Sequence, residues 1–321
     1  MNDLPTPEGL RIVTSDLRFP EGPIAMPDGS VIVCELGGGA VSRVQPDGTV
    51  EVIAEVGGGP NGAAIGPDGM IYLCNSGGSK TRIHKGHYTV LAEPPDDFRG
   101  GSIQRIDPKT GRMEVLYAST DELPLHGPND IVFDSTGGFY FTDFGRYIKD
   151  TVRLGGVFYG RCDGAPLRRL VHPLQFPNGI GLSPDGTELV VAQTYAGVVV
   201  RWTVVGPGEI VRHRDRDGVE TSAYSDRRLG AFLGAARGRG EFDSLAVEAD
   251  GSVCVATIDH PNGGITTFRP DGTREFVALP ETTVTNICFG GEGLRQAFIT
   301  MAHSNRLATM AWPRAGLQLA Y

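Results

Sequence analysis

Six copies of one hairpin signature constrain this chain more than any other feature. Each copy has a polar residue near its start, an apolar alternation, a turn rich in Asp and Gly, and a second apolar alternation. The copies are FPEGPIAMPDGSVIVCE from Phe19, GPNGAAIGPDGMIYLCN from Gly59, GPNDIVFDSTGGFYFTD from Gly127, FPNGIGLSPDGTELVVAQ from Phe176, EFDSLAVEADGSVCVAT from Glu241 and VTNICFGGEGLRQAFIT from Val284. Two period-2 apolar runs around a short Asp/Gly loop predict a β-hairpin. Further strand-like pairs lie between the copies, such as Ala40 to Gln45 with Thr49 to Val56, and Gly264 to Arg269 with Arg274 to Leu279. Four strands per unit, repeated six times, predict an all-β six-bladed propeller spanning 1–321 as one domain. The last unit holds three strands, so the strand predicted between Gly9 and Leu17 is expected to close the ring.

The copies begin 40, 68, 49, 65 and 43 residues apart, so two units carry insertions. Gly (46) and Pro (22) are spread along the whole chain, as many turns require. The net charge of −9 and the absence of a Lys/Arg run argue against nucleic-acid or anionic-membrane partners. No apolar stretch is long enough for a membrane span, and the start lacks a secretion signal, so a cytoplasmic location is expected. Cys34, Cys74, Cys162, Cys254 and Cys288 are odd in number and lack CxxC spacing, which predicts thiols and not disulfides.

The third residue of each copy is Glu21, Asn61, Asn129, Asn178, Asp243 or Asn286. The first strand of each propeller blade lines the central channel, so these six oxygen-bearing side chains are expected to converge on the axis. Asn and Asp also favour turns for local reasons, but Glu does not. Carboxylates and amide oxygens without His or Cys suit a hard divalent cation, first of all Ca²⁺. The stretch after the second strand of a blade would lie above that cation. In the second blade this is Asn75 to Gly101 and in the third Phe144 to Gly155, a loop carrying Arg146 and Tyr147, and both are expected as pocket walls or a lid.

The runs Glu21-Gly22-Pro23, Asn129-Asp130, Pro177-Asn178-Gly179, the Asp243 segment and Thr285 to Gly291 resemble the senescence marker protein/gluconolactonase family of calcium-dependent propellers. The resemblance extends from about Leu10 to the C-terminus. It implies lactone hydrolysis, with Glu21, Asn129, Asn178 and Asp243 as ligands of one divalent metal, Ca²⁺ or else Zn²⁺, Mn²⁺ or Fe²⁺. Asp243 would be the catalytic base. Asn61, Asn286, His126, Arg146 and Tyr195 are expected substrate contacts for a small molecule. The chain departs from the family pattern at Gly127, where many sugar lactonases carry Arg, and at Ser244 and Ile24, which shifts the expectation toward a less polar lactone or ester. A metal-stabilised binding propeller and a phosphorus-ester hydrolase are the alternatives. No G-x-S-x-G elbow or phosphate-binding loop is present.

Overall fold

The computed structural model describes residues 6–91, 93–120, 124–211 and 231–321. Within them the only helical element is a single 3₁₀ turn, Glu292–Leu294. Six antiparallel sheets form the blades of a propeller. Blade 1 runs Pro20–Ala25, Val31–Glu35, Ala40–Val44 and Val50–Glu55 from the axis outward, and the other blades follow this scheme. In the sixth blade the outermost strand is Arg11–Thr14, which pairs with Arg306–Ala311, so the N-terminal strand closes the ring as expected. The blade 4 insertion at 212–230 lies outside the described residues.

The second strands read as apolar runs up to their last residue, Val31–Glu35 and Ile71–Asn75 for example, because both faces of each sheet are covered by neighbouring blades. Six apolar clusters result, one at each blade junction. Ile32, Cys34 and Val41 meet Ile71 and Leu73 between blades 1 and 2, and Phe298 and Leu307 meet Val31 and Val33 between blades 6 and 1. All five cysteines are free, and Cys34, Cys74 and Cys254 are buried in these junctions. No described helix is long and apolar enough to cross a membrane.

Asp residues organise the turn between the first two strands, at the end away from the polar column. Asp28, Asp68, Asp134, Asp185 and Asp250 each accept the backbone N–H two residues ahead. At the opposite end every inner strand carries a register break, between Glu21 and Ile24, Pro60 and Ala63, Pro128 and Ile131, Pro177 and Ile180, Phe242 and Leu245, and Val284 and Asn286. Such a bulge re-aims side chains. Here the same irregularity recurs at the polar residue of all six blades.

The expected loop from Phe144 to Gly155 is instead a continuation of the sheet. Gly138–Ile148 and Thr151–Arg161 pair without interruption through Ile148↔Thr151, leaving Lys149-Asp150 as a two-residue turn. Its β-forming residues Tyr147, Ile148, Thr151 and Val152 extend the ladder, and Lys149 takes the positive φ (55°) that a tight hairpin needs.

Candidate active site at the propeller axis

The six inner strands neighbour one another in a closed circle. Close approach is built into the sequence: a Cβ on Gly22 (φ 45°) would collide with the carbonyl of Asn61, and one on Gly62 would collide with the Asp130 carboxylate. Hydroxyls tie the strands together. The Thr142 hydroxyl receives the Asp130 amide (3.1 Å) and donates to the Asn178 carbonyl (2.6 Å), and Thr285 donates to the Pro20 carbonyl (3.0 Å).

All six column residues are buried. Asn178 Nδ2 donates to Asp243 Oδ1 (2.6 Å) and to the Thr194 hydroxyl (3.1 Å), while Ser244 Oγ donates to Asn178 Oδ1 (3.4 Å). Glu21 accepts from the Gly22 amide and the Asn286 side chain, and lies in the electric field of Asp243. The structure therefore joins Asn178 to Asp243 and Glu21 to Asn286, and it leaves Glu21 Oε2, Asn61 Oδ1 and Asn129 Oδ1 buried without a hydrogen-bond partner. Buried acceptors are normally paired. Three orphans in one column mark a place for something that accepts lone pairs.

Charge points the same way. Burial first, then the charges of Asp243 and Asp130, holds the Glu21 carboxyl well above its usual range. Burial pushes Asp243 up to about 7, against the opposing hydrogen bond from Asn178, and pushes Asp130 up to about 7 as well. The groups that ease these carboxyls are amides and hydroxyls, Ser244 and the Ile131 amide among them, and not cations. Such a trio must protonate or gather positive charge. Among the described residues there is no group of three or more His, Cys, Asp and Glu side chains arranged to hold a metal, so a cation here would draw on the carboxamides too. An oxygen-only donor set with unpartnered lone pairs fits a hard divalent ion.

Asp130 has no part in the sequence reading beyond the Asn129-Asp130 pair. Its signal was available: the residue after the column position is Gly22, Gly62 and Gly179 in three blades, and a carboxylate in blade 3. The missing Cβ of Gly62 leaves room for it.

The remaining expected contacts lie around the mouth. The His126 amide donates to Asp143 Oδ2 (2.7 Å) and its ring is half-buried, with burial lowering its pKa against the pull of Asp143. Arg146 is buried and committed to other loops. Its Nε donates to the His126 carbonyl (3.0 Å), Nη1 to that of Gly78 (2.7 Å) and Nη2 to that of Ser76 (2.6 Å), with Phe98 stacked 4.4 Å from its Cζ. Tyr195 stands on the rim against Phe176, ring centroids 4.7 Å apart.

The stretch after Asn75 contains a small hairpin, Thr81–His84 with His87–Val90. Its tip reaches across to blade 6, where His87 stacks on His303 (5.0 Å) and Asn305 Nδ2 donates to the Gly86 carbonyl (2.7 Å).

The sequence pattern described as the SMP-30/Gluconolactonase/LRE-like region matches residues 19–303. A gluconolactonase from Zymomonas mobilis is 26% identical over 327 residues, covering 94% of this chain and 81% of its own. Among solved structures, a gluconolactonase from Xanthomonas campestris superposes with a TM-score of 0.70 at 22% identity, over 95% of this chain and 89% of the other. Regucalcin from Agrobacterium tumefaciens, described as a calcium-binding protein, superposes with a TM-score of 0.67 at 15% identity, over 96% and 94%. These two likenesses establish a shared fold.

Proposed function

The chain belongs to the SMP-30/gluconolactonase/LRE-like family, and from that premise we propose that it is a divalent-cation-dependent hydrolase that opens a lactone ring at the propeller axis. The single observation that carries the cation is the set of buried, unpartnered oxygens on Glu21, Asn61 and Asn129 beside the Asn178–Asp243 pair. A relative named gluconolactonase supports the reaction, and the regucalcin likeness supports calcium as the ion.

Glu21, Asn129, Asn178 and Asp243 would hold the cation, with Asn61 and Asn286 completing the ring. A divalent ion bound there supplies Lewis acidity to the lactone carbonyl and to an attacking water. Asp243 takes the proton from that water as the new carbon–oxygen bond forms. Asn178 Nδ2 pins Oδ1, which leaves Oδ2 as the atom that carries the proton. Asp243 then returns it to the ring oxygen as the carbon–oxygen bond of the ring breaks, giving the hydroxy acid. Glu21 would balance the charge of the cation, which in turn would keep this buried carboxyl ionised.

The reading is tested by following acid release from a lactone in a pH-stat, with and without chelator, on wild type and Asp243→Asn. Loss of turnover in both controls is expected. Turnover that survives exhaustive chelation would remove the cation from the reaction, and full activity in Asp243→Asn would remove the base.

A further inference from the structure

Four aromatic rings from two blades meet on the site end of the propeller. Phe176 packs against Phe144 (5.1 Å), Tyr147 (5.1 Å, nearly parallel) and Tyr195 (4.7 Å, edge-on), and Tyr195 also meets Phe144 (5.9 Å) and Tyr147 (6.2 Å). Phe176 is almost fully buried, yet Tyr195, which completes the cluster, remains 45% exposed. One face of a tightly packed aromatic group is thus left open.

That group is joined to the candidate catalytic residues through the backbone. Phe176 lies two residues before Asn178, and its carbonyl accepts the Thr194 amide (3.1 Å). The Thr194 hydroxyl accepts from Asn178, whose amide also holds Asp243, and Tyr195 follows Thr194 directly. The Tyr195 hydroxyl is pushed up to about 12, by burial first and then by its electrostatic neighbours, Glu241 foremost. Phe176 also holds a left-handed backbone (φ 48°), as Phe19 does at the matching place in blade 1. A bulky residue keeps that conformation only where its surroundings enforce it, and its recurrence at Phe19 ties it to the Phe-Pro start of the inner strand.

A polyhydroxylated substrate wants donors at this mouth, and Arg146 is buried with most of its N–H groups committed to the protein. All three of its guanidinium nitrogens already donate to the carbonyls of Ser76, Gly78 and His126.

Resting on the lactonase reading above, the geometry points to an aryl-substituted lactone as the substrate class: its flat apolar substituent lies against the exposed side of Tyr195, which Phe176 backs, while the lactone ring reaches the axis beside Asp243. Aromatic rings reward a planar partner by edge-on or offset contact, and tyrosine does so at a half-wet rim.

The test compares kcat/KM for γ-phenyl-γ-butyrolactone, γ-butyrolactone and D-glucono-δ-lactone in wild type, Tyr195→Ala and Tyr195→Phe. Wild type is expected to favour the phenyl compound over its unsubstituted core by about tenfold or more, as one good aromatic contact plus buried area allows. Tyr195→Ala should erase most of that ratio and Tyr195→Phe should keep it. A wild type that turns over lactones without preferring the phenyl compound, or a ratio untouched in Tyr195→Ala, overturns the aromatic shelf alone. Failure to hydrolyse any of the three sinks the lactonase reading and this substrate class with it.

Discussion

Asn178 donates its side-chain amide to Asp243 Oδ1 across 2.6 Å, although 65 residues separate them in the chain. Two adjacent blades, each bulged at the same point, bring the pair into contact. Asn178→Ala removes the donor and leaves Asp243 free to rotate. Residues that orient a metal ligand or base cost about 10–100-fold when lost, so lactone turnover and cation affinity should both fall by that order. Steady-state kinetics with a calcium titration checks this, and unchanged values for both would show that the contact is incidental.

Arg146 bolts the start of the blade 2 insertion to blade 3. Arg146→Ala leaves the carbonyls of Ser76, Gly78 and His126 without their donor and strips Phe98 of its stacking partner. The expected loss is about 3 kcal/mol of stability, from several buried acceptors left unpaired. Lysine cannot span three carbonyls with one ammonium, so Arg146→Lys should recover little of it. Limited proteolysis should then cut within 76–101 before anywhere else, and equal protection of that stretch in wild type and variant would contradict the assignment.

Much of this architecture was legible in the sequence because its signals were periodic. The six hairpins, the closing strand and the polar column all follow from residues that recur at matching places, Glu21 through Asn286. Residues that act once were not legible. Asp130 sits where other blades have Gly22, Gly62 or Gly179, and its neighbourhood depends on a Cβ that Gly62 lacks. Arg146 looked like a substrate contact from its place near the mouth, and only the fold reveals the carbonyls from blades 2 and 3 that claim its nitrogens. The long hairpin 138–161 hid behind Gly145 and Gly155, which interrupt an otherwise strand-like pattern.

His126 and His172 are both half-buried, and burial holds both pKa values below the usual histidine range, against the pull of Asp143. A depressed histidine pKa means the unfolded chain takes up protons first as pH falls. Stability from these two groups is therefore complete above the unfolded value of about 6.5 and declines as pH drops below it toward the folded values. Asp243, Asp130 and Glu21, raised by burial, act in the opposite direction, so the histidines are read as a difference: from pH 8 down to pH 5 the denaturant midpoint of wild type should fall relative to that of the double variant His126→Gln with His172→Gln. An identical slope in that variant would assign acid sensitivity to other groups.

The account stands on one claim, that oxygens from separate blades share a single divalent ion. Isothermal titration of calcium into chelator-stripped protein measures it directly. The expected result is one ion bound per chain, with Glu21→Gln and Asp243→Asn each weakening it, and a gain in thermal stability that grows with free calcium as a native-state ligand requires. No heat and no stabilisation with any divalent ion, or a binding curve that neither substitution alters, would contradict it.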